Sequence, residues 1–326
     1  MCAGALYSNR AHSEEATILD PVHLLSTFAS TFLGNYLQSA PFLLIGTLIS
    51  GLVEEFVDPK QLADLIPRHA LAGTVIGVLI GFAFPVCEFG SVPLARRLVR
   101  KGLPSSTVFT FLLAAPIVNP IVIASTIAAF GFGRMFFARM VVGIFTSILV
   151  GIVFSLQPDA ADLLRPIADL KPVNHNESVE SRESRSAPRL NERFRAALRL
   201  AGDEYFDMGR YLIGGSIMAA LVQTIVPRSA LVRFGPDPVA SVATIMLLAL
   251  FLSGCSAFDA FVALGFSGSF TTGSVLSFLV GGSMIDIKSI TLMTRVFKGK
   301  TVAYLIILPL LISMLAGLFV NLNLSW

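Results

Sequence analysis

The chain reads as an all-α integral membrane protein of about eight transmembrane helices, in two homologous halves with broken helices where the halves meet. Composition is the first reason. Hydrophobic residues make up 54% and charged residues 14%, the mean hydropathy is +0.76, and apolar stretches long enough to cross a bilayer recur along the chain. Repetition is the second. FAFPVCEFGSVPLARR, from Phe82, and LFLSGCSAFDAFVALG, from Leu250, place Cys87 and Cys255 in one apolar pattern. Each copy is followed by a matching pair, FLLAAPIVNP (Phe111 to Pro120) and FLVGGSMIDI (Phe278 to Ile287). A doubled membrane unit with polar groups at the same place in each half is how solute permeases are built.

The elements follow in order. Residues 1–34 form a polar and then amphipathic segment, whose part from Pro21 to Ala40 is expected to lie at the membrane interface. The first twenty residues lack the pattern of a cleaved signal peptide, and Cys2 lacks a lipobox. The first repeat, 35–157, holds spans expected near 41–57, 71–94, 106–130 and 137–156. A charged linker, 158–202, follows, with a centre too poor in apolar surface to fold alone and a final part, Leu190 to Leu200, spaced for a short amphipathic helix leading into the fifth span. The second repeat, 203–326, holds spans near 205–226, 239–264, 273–294 and 302–322. Leu44, Ile45 and Gly46 match Leu212, Ile213 and Gly214, and Pro59 matches Pro227. Four spans per half make the repeats parallel. An odd number makes them inverted, as when a break at 114–120 splits one helix in each half and raises the total to ten.

Basic residues set the orientation. Arg96, Arg97, Arg100 and Lys101 crowd one loop, and six arginines fill the linker. Both segments, with both termini, are expected on the cytoplasmic side of the plasma membrane. Arg134, Arg228, Arg233, Arg295, Lys298 and Lys300 are expected on the other.

Several residues could carry function. Pro85, Gly90 and Pro93 bracket Cys87 and Glu88, which suits a broken helix lining a cavity or a tolerated kink. Glu88 and Asp259 are acids inside apolar segments, unfavourable by about 2.5–3.5 kcal/mol near a bilayer centre. Each could exchange protons, or be held by Arg96, Arg97 or Lys288. Asn119 aligns with Asp286, two residues from Lys288, and helical positions two apart need separate partners unless the helix is interrupted. Pro116, Pro120, Gly281 and Gly282 favour interruption. These polar groups suit either a central site or contacts that only hold the bundle together. Cys87 and Cys255 are small packing residues if taken singly, and ligands for a thiophilic species if taken together. Three cysteines make no disulfide framework, and His12, His23, His69 and His175 lie outside the apolar cores of the spans, so neither a structural zinc site nor another metal is expected. No cofactor motif, phosphate loop or nucleophile signature is present, and neither an enzyme nor a nucleic-acid partner is expected.

CEFGSVPLARRLVRKGLPSSTVFTFLLAAPIVNPIVI, GCSAFDAFVALGF and FLVGGSMIDIKSI resemble the predicted permease family that includes the ArsP organoarsenical efflux permeases and the YraQ-like proteins. The resemblance implies a permease fold from about Asn35 to Leu322 and export of a small solute such as a trivalent organoarsenical. Many relatives carry Cys-Ser-Cys-Gly where this chain has Cys87-Glu88-Phe89-Gly90. The change removes a thiol pair and shifts the expected cargo toward a cation or a protonatable solute. Proton coupling through Glu88 or Asp259 is the expected energy source. The other readings are a metal-ion permease, a noncatalytic subunit of a larger complex, a homo-oligomer, and a membrane thiol oxidoreductase, which lacks a CxxC pair.

Overall fold

The computed structural model describes residues 21–56, 69–84, 88–156, 163–164, 190–225 and 237–323. Twelve helices account for nearly all of them, in two sets of six whose lengths run in the same order. The first set is α1 (Pro21–Phe56), α2 (Ala70–Ala83), α3 (Glu88–Arg100), α4 (Ser105–Val118), α5 (Pro120–Phe130) and α6 (Arg134–Ser155). The second is α7 (Leu190–Ile225), α8 (Pro238–Leu252), α9 (Ser256–Phe266), α10 (Thr272–Ser277, widening into a π-helix over Phe278–Gly282), α11 (Ile287–Val296) and α12 (Gly299–Asn323). The all-α membrane architecture expected from composition is what the chain adopts.

The path of the chain differs from eight simple crossings. α2 runs beside α4 in the same direction, Gly77 resting on the Thr107 carbonyl and Gly81 on the Ala115 backbone. α3 turns back and joins the start of α4 through Lys101–Pro104, so α2 and α3 form a hairpin that enters and leaves at one end. The second set does the same: Ser241 Oγ bonds Ser274 Oγ at 2.9 Å, Gly282 lies on Ala249, and α9 returns to the start of α10. Length explains the turn. The fourteen residues of α2 span about 21 Å, short of the ~30 Å hydrocarbon core. The segments 71–94 and 239–264 therefore each double back. Among the described residues, the helices long and apolar enough to cross are Leu24–Phe56, the interrupted spans Ser105–Phe130 and Thr272–Val296, Arg134–Ser155 and Gly299–Asn323.

α1 and α7, each 36 residues and ~54 Å long, pack antiparallel. Arg193 of α7 donates to the Glu55 carbonyl, Gly51 lies on the Ala197 carbonyl, and Ser50 Oγ donates to Glu204 at 3.0 Å. As the leading helices of the two sets, they show that the second set runs in reversed orientation. The stretch expected at the interface is continuous with the first span, and Leu190 to Leu200, expected as a short amphipathic helix at the end of the linker, is the first part of α7.

One end of the molecule collects the basic residues. Arg97 and Lys101 lie there with Glu54 and Glu204. Arg295 reaches Asp207, and Lys298 N donates to the Leu163 carbonyl at 3.0 Å. Phe109 seals this end between Phe154 and Phe297, at centroid distances of 4.2 and 5.4 Å. Arg295, Lys298 and Lys300 thus share the end of Arg97 instead of facing it across the membrane. Pro21 lies at the opposite end of α1 from Glu54 and Asn323 at the opposite end of α12 from Lys298, so the described chain begins and ends away from the basic end.

Close glycine crossings lock the helices. A Cβ on Gly46 would sit 2.1 Å from Gly90 Cα, and one on Gly151 would sit 2.9 Å from the Ser106 carbonyl. Gly46→Ala should lower the melting temperature of the detergent-purified protein, by overpacking worth about 1–3 kcal/mol or more. Gly34→Ala, into open space, should leave it unchanged or raise it.

Candidate functional site

Four helices begin near the middle of the molecule, and each carries a polar side chain at its first turn. Helix starts expose backbone N–H groups and a partial positive charge, and acids or amides there are favoured. Glu88 is the first residue of α3. Asn119 caps α5, its Oδ1 accepting from Ile121 N at 3.0 Å. Asp259 lies in the first turn of α9, accepting from Ser253 Oγ and from Gly254 N at 3.0 Å. Asp286 caps α11 in a reciprocal pair with Ser289, at 2.6 and 3.0 Å.

The structure brings most of the expected residues together. Glu88 lies within electrostatic reach of Asp286, Asp259, Lys288 and Cys255. Lys288 Nζ donates to the Gly254 carbonyl at 2.9 Å, stands 3.5 Å from Asp286 Oδ2, and lies 5.6 Å from the Phe89 ring centroid. Lys288 and Asp286 can pair although they are two apart, because the helix breaks between Met284 and Ile287. Cys255 is buried at the start of α9. Arg96 and Arg97 do not hold these acids, since they sit at the far end of α3, where Arg97 pairs with Glu204 at 2.7 Å.

The expected helix breakers divide. Pro120 opens α5 directly after the break at Asn119. Gly281 and Gly282 lie in the π-helix just before the break at Ile285 and Asp286. Gly90 and Pro93 lie inside a continuous α3, Gly90 serving the crossing with α1, and Pro116 lies inside α4. A proline costs each helix one hydrogen bond without ending it. Pro85 and Cys87 fall outside the described residues.

One residue escaped the sequence reading. Arg139 of α6 is fully buried, the largest such side chain among the described residues. It donates to Thr126 Oγ1 at 2.5 Å, to Ser283 Oγ at 2.8 Å and to the Ser256 carbonyl at 3.2 Å, joining α5 and α6 to both breaks of the second set. It lies within electrostatic reach of Asp259 and Glu88. The available signal was a guanidinium one turn inside an apolar run, a position where charge is functional by default. Gln38 of α1 also reaches the second break, its Oε1 against Gly254.

Three carboxylates therefore face two cations. Asp286 has Lys288, and Asp259 has two hydrogen-bond donors with Arg139 nearby. Glu88 Oε2 is buried without a hydrogen-bond partner among the described residues. No group of three or more metal-ligating side chains occurs among them either.

Two hairpin tips meeting two interrupted spans around buried charge, in a chain with membrane-crossing helices, define a multi-pass membrane permease. The chain belongs to the predicted permease family, whose family model matches residues 24–322. It is 37% identical over 289 residues to the UPF0718 protein YcgR of Bacillus subtilis, covering 88% of this chain and 94% of that protein. It is 36% identical over 270 residues to a putative two-component membrane permease complex subunit of Streptococcus mutans, covering 82% and 86%. No solved structure matches the chain.

Removing one partner of a buried pair costs about 3–5 kcal/mol because the other charge is stranded. Arg139→Leu should accordingly lower stability in detergent melts by that order. Adding Asp259→Asn should recover part of the loss, and strict additivity of the two changes would show that they do not interact.

Proposed function

We propose that the chain is a secondary permease that exports a small solute across the cytoplasmic membrane, with its site where the hairpin tips and span breaks meet. The observation that carries this reading is Glu88, whose Oε2 has no hydrogen-bond partner among the described residues in a centre with more acids than bases. A buried carboxylate short of one positive charge suits a group that takes up a proton or a cationic or protonatable solute and releases it on the other side. Cys255, beside Glu88, adds a soft ligand that suits a thiophilic cargo such as a trivalent organoarsenical. The basic end faces the cytoplasm on this reading, which puts Pro21 and Asn323 outside. The recurrence of helix lengths and of both breaks supports descent of the two sets from one duplicated unit.

The roles follow from the geometry. Lys288 and Arg139 hold Asp286 and Asp259 in place, Asn119 and Asp286 keep the half-helices α5 and α11 capped at the break, and Glu88 couples. The printed name of the Streptococcus mutans relative supports a second reading, in which the chain needs a partner subunit to transport; purification of a stoichiometric complex from the native membrane would favour it.

In everted vesicles challenged with methyl- and phenylarsenite and antimonite, wild type should take up at least one solute in proportion to the imposed proton gradient. Glu88→Gln, expressed to the same level, should lose that dependence and at least tenfold in rate. Unchanged gradient-driven uptake by Glu88→Gln would remove the coupling role.

A further inference from the structure

Corresponding helices of the two sets are not equally covered. α3 is buried at eleven of its thirteen residues, whereas α9, its counterpart, is buried at four of eleven. α11 is buried at five of ten, and its counterpart α5 at two of eleven. The difference traces to the α1–α7 pair. α1 lies on α3 through Gly46 and Gly90, and α7 lies on α11 through Gly215 and Lys288. Two acids one turn apart on α7 fasten the arrangement at the basic end: Glu204 binds Arg97 of α3 at 2.7 Å, and Asp207, paired with Arg210 of its own helix, also lies 3.5 Å from Arg295 of α11. Among the described residues α1 packs extensively on α3 and α7 on α11, and neither packs extensively on α5 or α9.

Reversal of the two sets says where the pair would sit otherwise. Under the correspondence of α1 with α7 and of α3 with α9, the contact of α1 on α3 becomes α7 on α9. The contact of α7 on α11 becomes α1 on α5. The residues for this second seat are in place. Gly214 matches Gly46, yet a Cβ there would meet nothing within 4 Å. Phe258, which matches Gly90, is 51% exposed, and Ile121, which matches Lys288, is 45% exposed.

We propose that alternating access in this chain is a movement of the two hairpins, the interrupted spans, α6 and α12, as one core, against the α1–α7 pair. In the described conformation α3 and α11 lie under the pair and the basic end is closed. In the second, α9 and α5 take their places, α7 seats Gly214 against Phe258, and the route to the site opens at the basic end. Glu204 and Asp207 are the latch. Their counterparts on α1 are Tyr36 and Ser39, which cannot form the same ion pairs, so the latch favours the described conformation. This inference rests on the permease reading but names a different moving body from one set rocking on the other.

The test uses the full chain in nanodiscs with its native cysteines replaced by serine. Spin labels on Phe206→Cys of α7 and Phe261→Cys of α9, both exposed, disturb no buried contact. The distance distribution should hold a major and a minor component, and Glu204→Gln with Asp207→Asn should raise the minor one several-fold. The same latch variant should increase crosslinking of Gly214→Cys to Phe258→Cys by a short bridging reagent. One unchanged distance component, or failure of the monodisperse latch variant to raise either signal, overturns the proposal. If the latch variant does not fold, the distribution in the labelled wild-type latch decides alone, and a single component there also overturns it. No solute enters the readout, so its failure leaves the transport reading standing. A chain that moves but carries none of the solutes tried leaves this inference standing.

Discussion

A bilayer has no water to satisfy a backbone that stops being helical, and this chain stops being helical four times in the interior of its own core. Every other feature of the centre answers that constraint. The four half-helices begin there, each with unpaired N–H groups and roughly half a positive charge. Glu88, Asn119, Asp259 and Asp286 stand at those four starts. Acids placed this way are partly neutralised by the backbone itself, which lowers the cost of burying them. Lys288 and Arg139, one from each set, then supply counter-charge beside Asp286 and Asp259, which leaves Glu88 without a cation of its own.

The two sets divide this work unequally. Counting back twelve residues from Gly151 and from Gly317, which pack alike against α4 and α10, reaches Arg139 in α6 but Leu305 in α12. Lys288 likewise corresponds to Ile121. The two buried cations of the centre thus have apolar residues at the matching places of the other set, while the glycine crossings at Gly151 and Gly317 are alike. A frame that is nearly symmetric can take two seats of similar packing, and a centre that is not symmetric lets one carboxylate differ from the others.

The membrane class, the breaks beside Glu88, Asn119 and Asp286, and five charged or amide residues of the candidate site were legible in the sequence, whereas the break at Ser253–Cys255 was not. Breaks show as proline, glycine and polar residues inside apolar runs, and buried acids stand out because they are costly. The hairpins were not legible, because an apolar run with a central break looks the same whether its second part continues or returns. Packing of Gly77 and Gly81 on α4 decides that, and it depends on residues thirty positions away. The helical start of α7 at Leu190 was legible from its apolar spacing, but Glu192, Arg193, Arg195 and Arg199 made it look like part of the linker instead of the packed bundle. Only contact with α1 makes that stretch part of the fold. Arg139 lay inside the expected span 137–156 but near its start, and its burial becomes visible only when α5, α9 and α10 converge on it.

The central claim is that the breaks enclose a site that water and solute reach, in place of a sealed set of structural contacts. Asn119→Cys in a chain otherwise free of cysteine measures this directly, by its reaction with a membrane-impermeant maleimide added to one side of sealed vesicles at a time. The account predicts labelling from the side away from the basic end, much slower labelling from the other, and suppression by a cargo that protects the site. Absence of reaction from either side, in folded protein whose Asn119→Cys thiol reacts after denaturation, would contradict it.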